Sequence, residues 1–69
     1  VNQSLSDIAA DLERRFNVKI IIEDSELAAM QYYASFINNE SLERILRALN
    51  SNDNMRISRI NGTIIISPN

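Results

Sequence analysis

Few side chains in this sequence could carry out chemistry. The chain contains no histidine and no cysteine, which excludes catalytic groups of the Ser-His-Asp and Cys-His kinds. The single lysine, Lys19, lies in a β-branched run, where nothing places it beside a serine. Three acids, Glu23, Asp24 and Glu26, lie close together, but their spacing is not that of a calcium-binding loop. We interpret them as a solvated turn in which Asp24 caps the next helical turn.

Binding sites for small charged ligands are also not indicated. Gly62 is the only glycine, so the chain has no glycine-rich loop that could hold a phosphate. A catalytic pair of carboxylates, as in glycosidases, needs a cleft that a chain of 69 residues can hardly build. The sequence therefore predicts a domain that is not an enzyme and that binds neither a cofactor nor a metal.

Length and composition predict one small globular domain over residues 1–69. Such a chain buries about 60% of its unfolded surface, and without cysteine its core must come from Ile, Leu and Phe packing. The net charge of −2 argues against nucleic-acid binding, which needs a basic excess. No run approaches the roughly 18 apolar residues of a membrane span, and Val1 is no natural start. We expect a domain of a longer protein that is not itself inserted in a membrane.

A repeated helical motif organises the chain. An N-capping serine followed by apolar residues at helical spacing occurs twice, 37 positions apart. The two sets are Ser4, Leu5, Ile8 and Leu12, and Ser41, Leu42, Ile45 and Leu49. The first helix is predicted over Leu5 to Phe16 with Asn17 at its C-terminal end, and the second begins at Ser41. Opposite charges four residues apart predict the ion pairs Asp11–Arg15, Glu40–Arg44 and Glu43–Arg47.

Two strands are predicted between these helices. Val18–Glu23 is rich in β-branched residues, and Met30–Ile37 alternates apolar and polar side chains. The connection Asp24–Ala29 is predicted to form one tight helical turn that buries Leu27. Each helix is therefore followed by extended chain.

The dipeptide Asn61-Gly62 predicts a hairpin after the second helix and the polar loop Asn50–Asn54. Both residues tolerate positive φ, as a type I′ turn requires, so the strands are Met55–Ile60 and Thr63–Ser67. The turn also sets the register. The expected pairs are Ile60 with Thr63, Arg59 with Ile64, Ser58 with Ile65, and Ile57 with Ile66. We expect Pro68 to stop the second strand.

These elements have the order αββαββ. Two duplicated helix-plus-strands units predict a pseudo-symmetric α+β domain, in which two helices pack with two small sheets. Alternation leaves several apolar side chains on the outward strand faces. They are Ile21, Tyr33, Ile37, Ile60 and Ile65. Exposed apolar residues that cluster on a small domain mark a protein–protein surface, so we interpret these five as a candidate protein-binding surface.

Three runs of the sequence together resemble a known family. They are Ser4–Ile20, Tyr32–Leu46 and Ile60–Pro68, which cover most of the chain. They resemble the C-terminal domain of FecR-like anti-sigma factors of Gram-negative bacteria. The resemblance implies a relation to the secretin-and-TonB N-terminal (STN) domain, in which two βαβ-type motifs place their helices between two small sheets. The strand expected ahead of Ser4 is absent except for Val1, so one sheet is expected to be incomplete or completed by a neighbouring molecule.

The resemblance also implies a place in a signalling system. In such proteins a cytoplasmic N-terminal segment binds an extracytoplasmic-function (ECF) sigma factor, one transmembrane helix follows, and the periplasmic part ends in this domain. By resemblance, the domain receives a signal through contact with the periplasmic signalling domain of an outer-membrane TonB-dependent receptor.

Two other functions stay open on the sequence. One is the STN domain of the receptor itself, although Phe16-Asn17-Val18-Lys19-Ile20 is closer to the anti-sigma version. The other, from a different class, is a small-molecule-sensing regulatory domain of ferredoxin-like build. That domain would need a pocket with converging polar groups, for which this chain offers few candidates.

Overall fold

The computed structural model describes residues 2–33 and 40–69, and these form a mixed α+β fold with two small sheets. In chain order the elements are β1 (Asn2–Ser4), α1 (Leu5–Phe16), β2 (Lys19–Ile22), α2 (Ser25–Ala29), β3 (Gln31–Tyr33), α3 (Leu42–Leu49), β4 (Met55–Ile60) and β5 (Thr63–Pro68). The predicted α+β class is confirmed. The predicted order αββαββ agrees with the structure once β1 and the short α2 are added.

Helices α1 and α3 begin in the same way, as the sequence repeat predicts. Ser4 and Ser41 are both extended N-cap residues. Each serine Oγ accepts a hydrogen bond from the backbone N–H three residues on, at 3.2 Å in both helices. Three buried positions correspond, 37 residues apart: Leu5 with Leu42, Ile8 with Ile45, and Ala9 with Leu46. Leu12 is also buried, whereas its predicted counterpart Leu49 is only partly buried against the core. The duplicated helical motif is confirmed.

The C-terminal end of α1 and the start of α2 are also determined by neighbouring residues. Asn17 ends α1 in the left-handed conformation, with φ 54°, and its N–H donates to the carbonyl of Glu13. Asp24 caps α2, because its Oδ2 accepts from the N–H of Leu27 at 2.8 Å. Leu27 is buried, as predicted. The predicted capping role of Asp24 is therefore confirmed.

The hairpin of β4 and β5 has the predicted turn and register. Asn61 and Gly62 have φ values of 50° and 84°, as a type I′ turn requires. The four expected pairs are all present. The prediction that Pro68 stops the strand is confirmed, since β5 ends there, although the strand includes Pro68 opposite Met55 and so extends one residue beyond the predicted Ser67. Proline is tolerated there because it is the last residue of the strand, where the absent N–H interrupts no ladder beyond it.

Gly62→Ala is expected to destabilise the fold by about 1–2 kcal/mol, the cost of placing an alanine in the left-handed region. An added Cβ would have no atom within 4 Å, so the cost comes from the backbone alone. Urea unfolding followed by circular dichroism measures it. Asn61→Gly is the matched control, because glycine accepts the positive φ of that position and its stability should stay close to that of the wild type. Equal stability of Gly62→Ala and the wild type would contradict the proposed turn.

The strands assemble into two sheets. The smaller pairs β1 antiparallel to β3, with Asn2 opposite Tyr33 and Ser4 opposite Gln31. The expectation that the strand ahead of Ser4 is absent is therefore wrong: Asn2–Ser4 are polar, but β3 supplies a ladder that fixes them as a strand. The larger sheet has the order β2-β5-β4, with β2 parallel and β4 antiparallel to β5. It joins a strand of the first repeat to both strands of the second.

One hydrophobic core holds the two repeats together. It contains buried residues of α1, α2, α3 and the inner face of the larger sheet: Leu5, Ile8, Leu12, Leu27, Leu42, Ile45, Leu46, Met55, Ile64 and Ile66. Each such side chain contributes about 1.5–3 kcal/mol when fully buried. The core-face prediction for the hairpin is confirmed, since Met55, Ile64 and Ile66 are buried and Ile57 packs against them. Neither repeat forms this core alone.

Candidate functional site

The outer face of the larger sheet carries the apolar residues that the sequence singles out. Ile21 of β2 and Ile65 of β5 are register partners, so their side chains are neighbours on one face. Ser58 of β4 lies opposite Ile65 on its other side. Ile21 is 40% exposed and Ile65 is half-buried. The central row of this face is therefore Ile21, Ile65 and Ser58.

The next row toward the hairpin turn adds a third isoleucine. Ile60 lies opposite Thr63, which in turn lies opposite Lys19. Ile60 is 56% exposed, the largest value among the exposed large apolar residues of the described ranges. The structure thus brings three of the five predicted surface residues onto one sheet face. We call Ile21, Ile60 and Ile65 the isoleucine patch.

The other two predicted residues do not belong to the patch as described. Tyr33 lies in β3, opposite Asn2, and so belongs to the smaller sheet. Ile37 lies outside the described residues. The five-residue binding surface stays a prediction, and only its part on the larger sheet can be described as one face.

The core lies against the other face of this sheet. Ile64 and Ile66 are buried, whereas Ile65 between them is half-buried on the opposite side. Among the described residues, the core and the three helices that contribute to it account for one face only. Charged residues border the patch, with Lys19 in the row of Ile60 and Arg56 opposite Ser67 in the row beyond. An apolar centre with a charged border is the usual anatomy of a protein-binding surface.

A salt bridge between elements replaces one that the sequence predicts within a helix. Glu43 of α3 binds Arg59 of β4, with 2.5 Å between Oε2 and the guanidinium, rather than Arg47 one turn away. Arg59 lies two residues after Ile57 and on the same face of β4, so its side chain points toward α3. The predicted pair Asp11–Arg15 is present at 3.6 Å. The spacing of charges along a helix correctly predicts the pair Asp11–Arg15. It does not predict the pair Glu43–Arg59, because that pair depends on how the β4–β5 hairpin packs against α3.

The pKa of Glu43 is lowered from its usual value, first by a hydrogen bond from its own backbone N–H and then by the Arg59 guanidinium. A carboxylate with a lowered pKa stabilises the folded state above its usual pKa, and this contribution disappears as pH falls through the lowered value. At neutral pH, Glu43 therefore keeps Arg59 occupied.

A groove of about 340 Å³ lies beside this salt bridge, between α3 and β4. Its walls are formed by Glu43, Leu46, Arg47, Asn50, Ile57, Ser58, Arg59 and Ile64. Nothing in the sequence periodicity predicts this groove, because it depends on the angle between a helix and a hairpin. Its floor is apolar, formed by Leu46, Ile57 and Ile64, and its rim carries the charged side chains of Glu43, Arg47 and Arg59.

Two further observations concern the described residues 2–33 and 40–69 alone. They contain no cluster of three or more acids, histidines or cysteines that could hold a metal ion. None of their helices has the length and apolarity needed to cross a membrane.

The family comparison identifies the class of protein. The family model described as FecR, C-terminal, matches residues 1–66, and the chain belongs to this family. The predicted family is therefore confirmed, whereas the relation to the STN domain stays a prediction. No curated protein and no solved structure matches the chain. Members of the family are FecR-like signalling and anti-sigma regulators, anchored in a membrane with a periplasmic C-terminal domain that is generally not enzymatic.

Proposed function

We propose that this chain is the periplasmic C-terminal domain of a longer FecR-like anti-sigma factor. It binds the periplasmic signalling domain of an outer-membrane TonB-dependent receptor. The parent protein binds an ECF sigma factor through a cytoplasmic segment outside this chain. Receptor contact then alters how the parent holds or releases that sigma factor. The domain contributes binding and no chemistry.

The isoleucine patch is the observation that carries this proposal. Ile21 and Ile65 are adjacent across a strand pair and Ile60 is more than half exposed, on a sheet face that no described helix packs against. Adjacent β-branched side chains on a sheet give a rigid, shaped apolar surface that loses little side-chain entropy on binding. The patch is therefore suited to be the desolvated centre of an interface.

The outer face of the larger sheet is too small to form a whole interface. A stable interface buries about 800 Å² on each partner, and three strands about 4.8 Å apart provide only its centre. The remainder must come from residues around the sheet, among them the charged side chains of Lys19 and Arg56. We therefore expect an apolar centre that sets affinity and a charged rim that sets association rate and salt dependence.

The family match favours this function over the two alternatives. It supports an anti-sigma domain rather than the receptor's own STN domain, because the matching family is that of FecR C-terminal domains. A ferredoxin-like small-molecule sensor would need a pocket with converging polar groups that are free to bind a ligand. In the α3–β4 groove, Glu43 and Arg59 bind each other and the Asn50 amide binds the backbone of Met55.

The proposal is tested with the receptor encoded beside the parent gene. Isothermal titration of the 69-residue chain with that receptor's periplasmic signalling domain should show a one-to-one complex. The signalling domain of an unrelated TonB-dependent receptor is the control and should bind at least about tenfold more weakly. Equal affinity for both domains, or no heat for either at about 100 μM, would contradict the proposed partner.

A further inference from the structure

The outer edge of β4 is partly paired by a side chain. The Asn50 amide accepts from the N–H of Met55 at 3.1 Å and donates to the C=O of Met55 at 2.9 Å. These are the two bonds that a residue of a neighbouring strand would make. Both backbone groups of Met55 therefore point away from β5, and Asn50 ends the ladder on that side.

Every second residue of β4 points its backbone groups in the same direction as Met55. In an antiparallel strand, every second residue points its N–H and C=O toward the same neighbour. Because the backbone N–H and C=O of Met55 point away from β5, those of Ile57 and Arg59 do so too. Within residues 2–33 and 40–69, no backbone partner outside the β4–β5 ladder binds the N–H groups of these two residues. As far as residues 2–33 and 40–69 are concerned, the edge is therefore open between Asn50 and the hairpin turn.

The opposite edge of the sheet is also partly occupied by a side chain. There, the N–H of Ile20 in β2 donates to Oε2 of Glu13 at 2.8 Å. A helix side chain thus blocks strand pairing at that residue, and covering an edge is how natural sheets avoid unwanted association. On β4, Ile57 and Arg59 have no such side-chain partner for their backbone groups among the described residues, so β4 offers the longer free stretch.

The α3–β4 groove runs along this open stretch. Its floor is apolar, formed by Leu46 of α3, Ile57 of β4 and Ile64 of β5. Ser58 also contributes to the lining, although alternation puts its side chain on the other face, so its backbone is what borders the groove. A strand added at this edge would place alternate side chains over Leu46, beneath the wall that α3 forms.

The charged side chains around the groove favour an acidic partner. Glu43 is held by Arg59, and among the described residues Arg47 has no salt-bridge partner. The rim at Arg47 therefore carries an uncompensated positive charge. A second copy of this chain would bring its own β4 arginines to the edge, and like charges facing each other across strands are destabilising. A segment that carries a carboxylate suits the groove better.

We propose that the α3–β4 groove is a second binding site, which takes an extended acidic segment of a partner protein as an added strand on β4. The outward backbone groups of Ile57 and Arg59 form the ladder, an apolar side chain lies over Leu46, and a carboxylate binds Arg47. The site uses a different surface from the isoleucine patch. It stands or falls independently of the receptor-binding proposal.

A synthetic peptide tests the ladder directly. The probe is a blocked hexapeptide, Thr-Val-Thr-Glu-Thr-Val, titrated to about 5 mM into the isotopically labelled chain and followed by NMR, which detects millimolar affinities. The largest amide shifts should occur at Ile57 and Arg59. Methylating the peptide nitrogens that face β4 should abolish the shifts, whereas methylating the alternate nitrogens should leave them. Absence of shifts at both residues, or equal effects of the two methylations, would overturn strand addition.

Charge reversal tests the partner's chemistry. Arg47→Glu should weaken the acidic peptide by about tenfold or more, and Arg44→Glu, on the same helix but outside the groove, should change it less than about twofold. A peptide with lysine in place of glutamate should bind Arg47→Glu better than it binds the wild type. Equal weakening by both variants would overturn the role of Arg47. Shifts at Ile57 and Arg59 that depend on protein concentration alone would assign the edge to a second copy and overturn the acidic-partner proposal.

Discussion

Ile65→Asp is expected to weaken binding of the receptor's signalling domain by at least about 30-fold. The aspartate would stand at the centre of the sheet face, between Ile21 and Ser58, where a bound partner excludes water. A buried charge without a counter-charge costs about 2–5 kcal/mol at an interface, which corresponds to the expected loss. Isothermal titration measures affinity, and a reporter driven by the sigma factor measures signalling in cells that carry the same change in the full-length parent.

Two further variants separate an interface effect from a folding effect. Ile65 is half-buried in the central strand, so its replacement also lowers stability, whereas Ile60 is more than half exposed at the end of β4. Ile60→Asp should therefore keep the fold and still weaken binding. Met30→Asp is the matched control, because Met30 is 42% exposed but lies next to α2, off the patch. If Ile60→Asp and Ile65→Asp bind like Met30→Asp, the patch is not the interface.

Ile45→Ala is expected to lower the free energy of unfolding by about 2–5 kcal/mol, because the side chain is fully buried and its loss leaves a cavity. For a domain of 69 residues this is a large share of a total of about 3–10 kcal/mol. Urea unfolding followed by circular dichroism gives the value. The surface variant Ile60→Ala should change stability by less than about 0.5 kcal/mol.

The repeat makes the core prediction sharper. Ile8 occupies the position of Ile45 in the first copy and is equally buried in the same cluster. Ile8→Ala should therefore cost about as much as Ile45→Ala, within the same range of about 2–5 kcal/mol. If one variant were severely destabilised and the other neutral, the two repeats would not share a single core.

Features determined by a few neighbouring residues were predictable from the sequence. The serine caps of α1 and α3, the left-handed Asn17 and the Asn61-Gly62 hairpin all depend on local hydrogen bonds and φ preferences. The hairpin register followed because a two-residue turn fixes which residues face each other. The helix repeat was also visible, since burial imposes the same spacing on both copies.

Features that depend on distant segments were not predictable in this way. The parallel pairing of β2 with β5 joins residues 44 positions apart, and periodicity carries no information about that choice. The strand β1 is polar and short, so it has no signal of its own and exists through its pairing with β3. The Glu43–Arg59 bridge and the α3–β4 groove likewise arise only when the hairpin packs against α3.

The candidate interface was predictable in part. Alternation alone put Ile21, Ile60 and Ile65 on outward faces, and the structure confirms that they share one. The sequence could not show that Ile21 and Ile65 are neighbours, because their contact depends on the pairing of β2 with β5. Tyr33 lies in β3 of the smaller sheet, so its part in the binding surface stays a prediction.

The central claim is that the isoleucine patch binds the receptor, and NMR mapping tests it most directly. The receptor's unlabelled signalling domain is titrated into the isotopically labelled chain, with methyl and amide signals followed together. We predict the largest changes at the methyl groups of Ile21, Ile60 and Ile65, with smaller changes at Lys19 and Arg56. Saturating binding whose changes leave these methyl groups unaffected and lie on other surfaces would contradict the account.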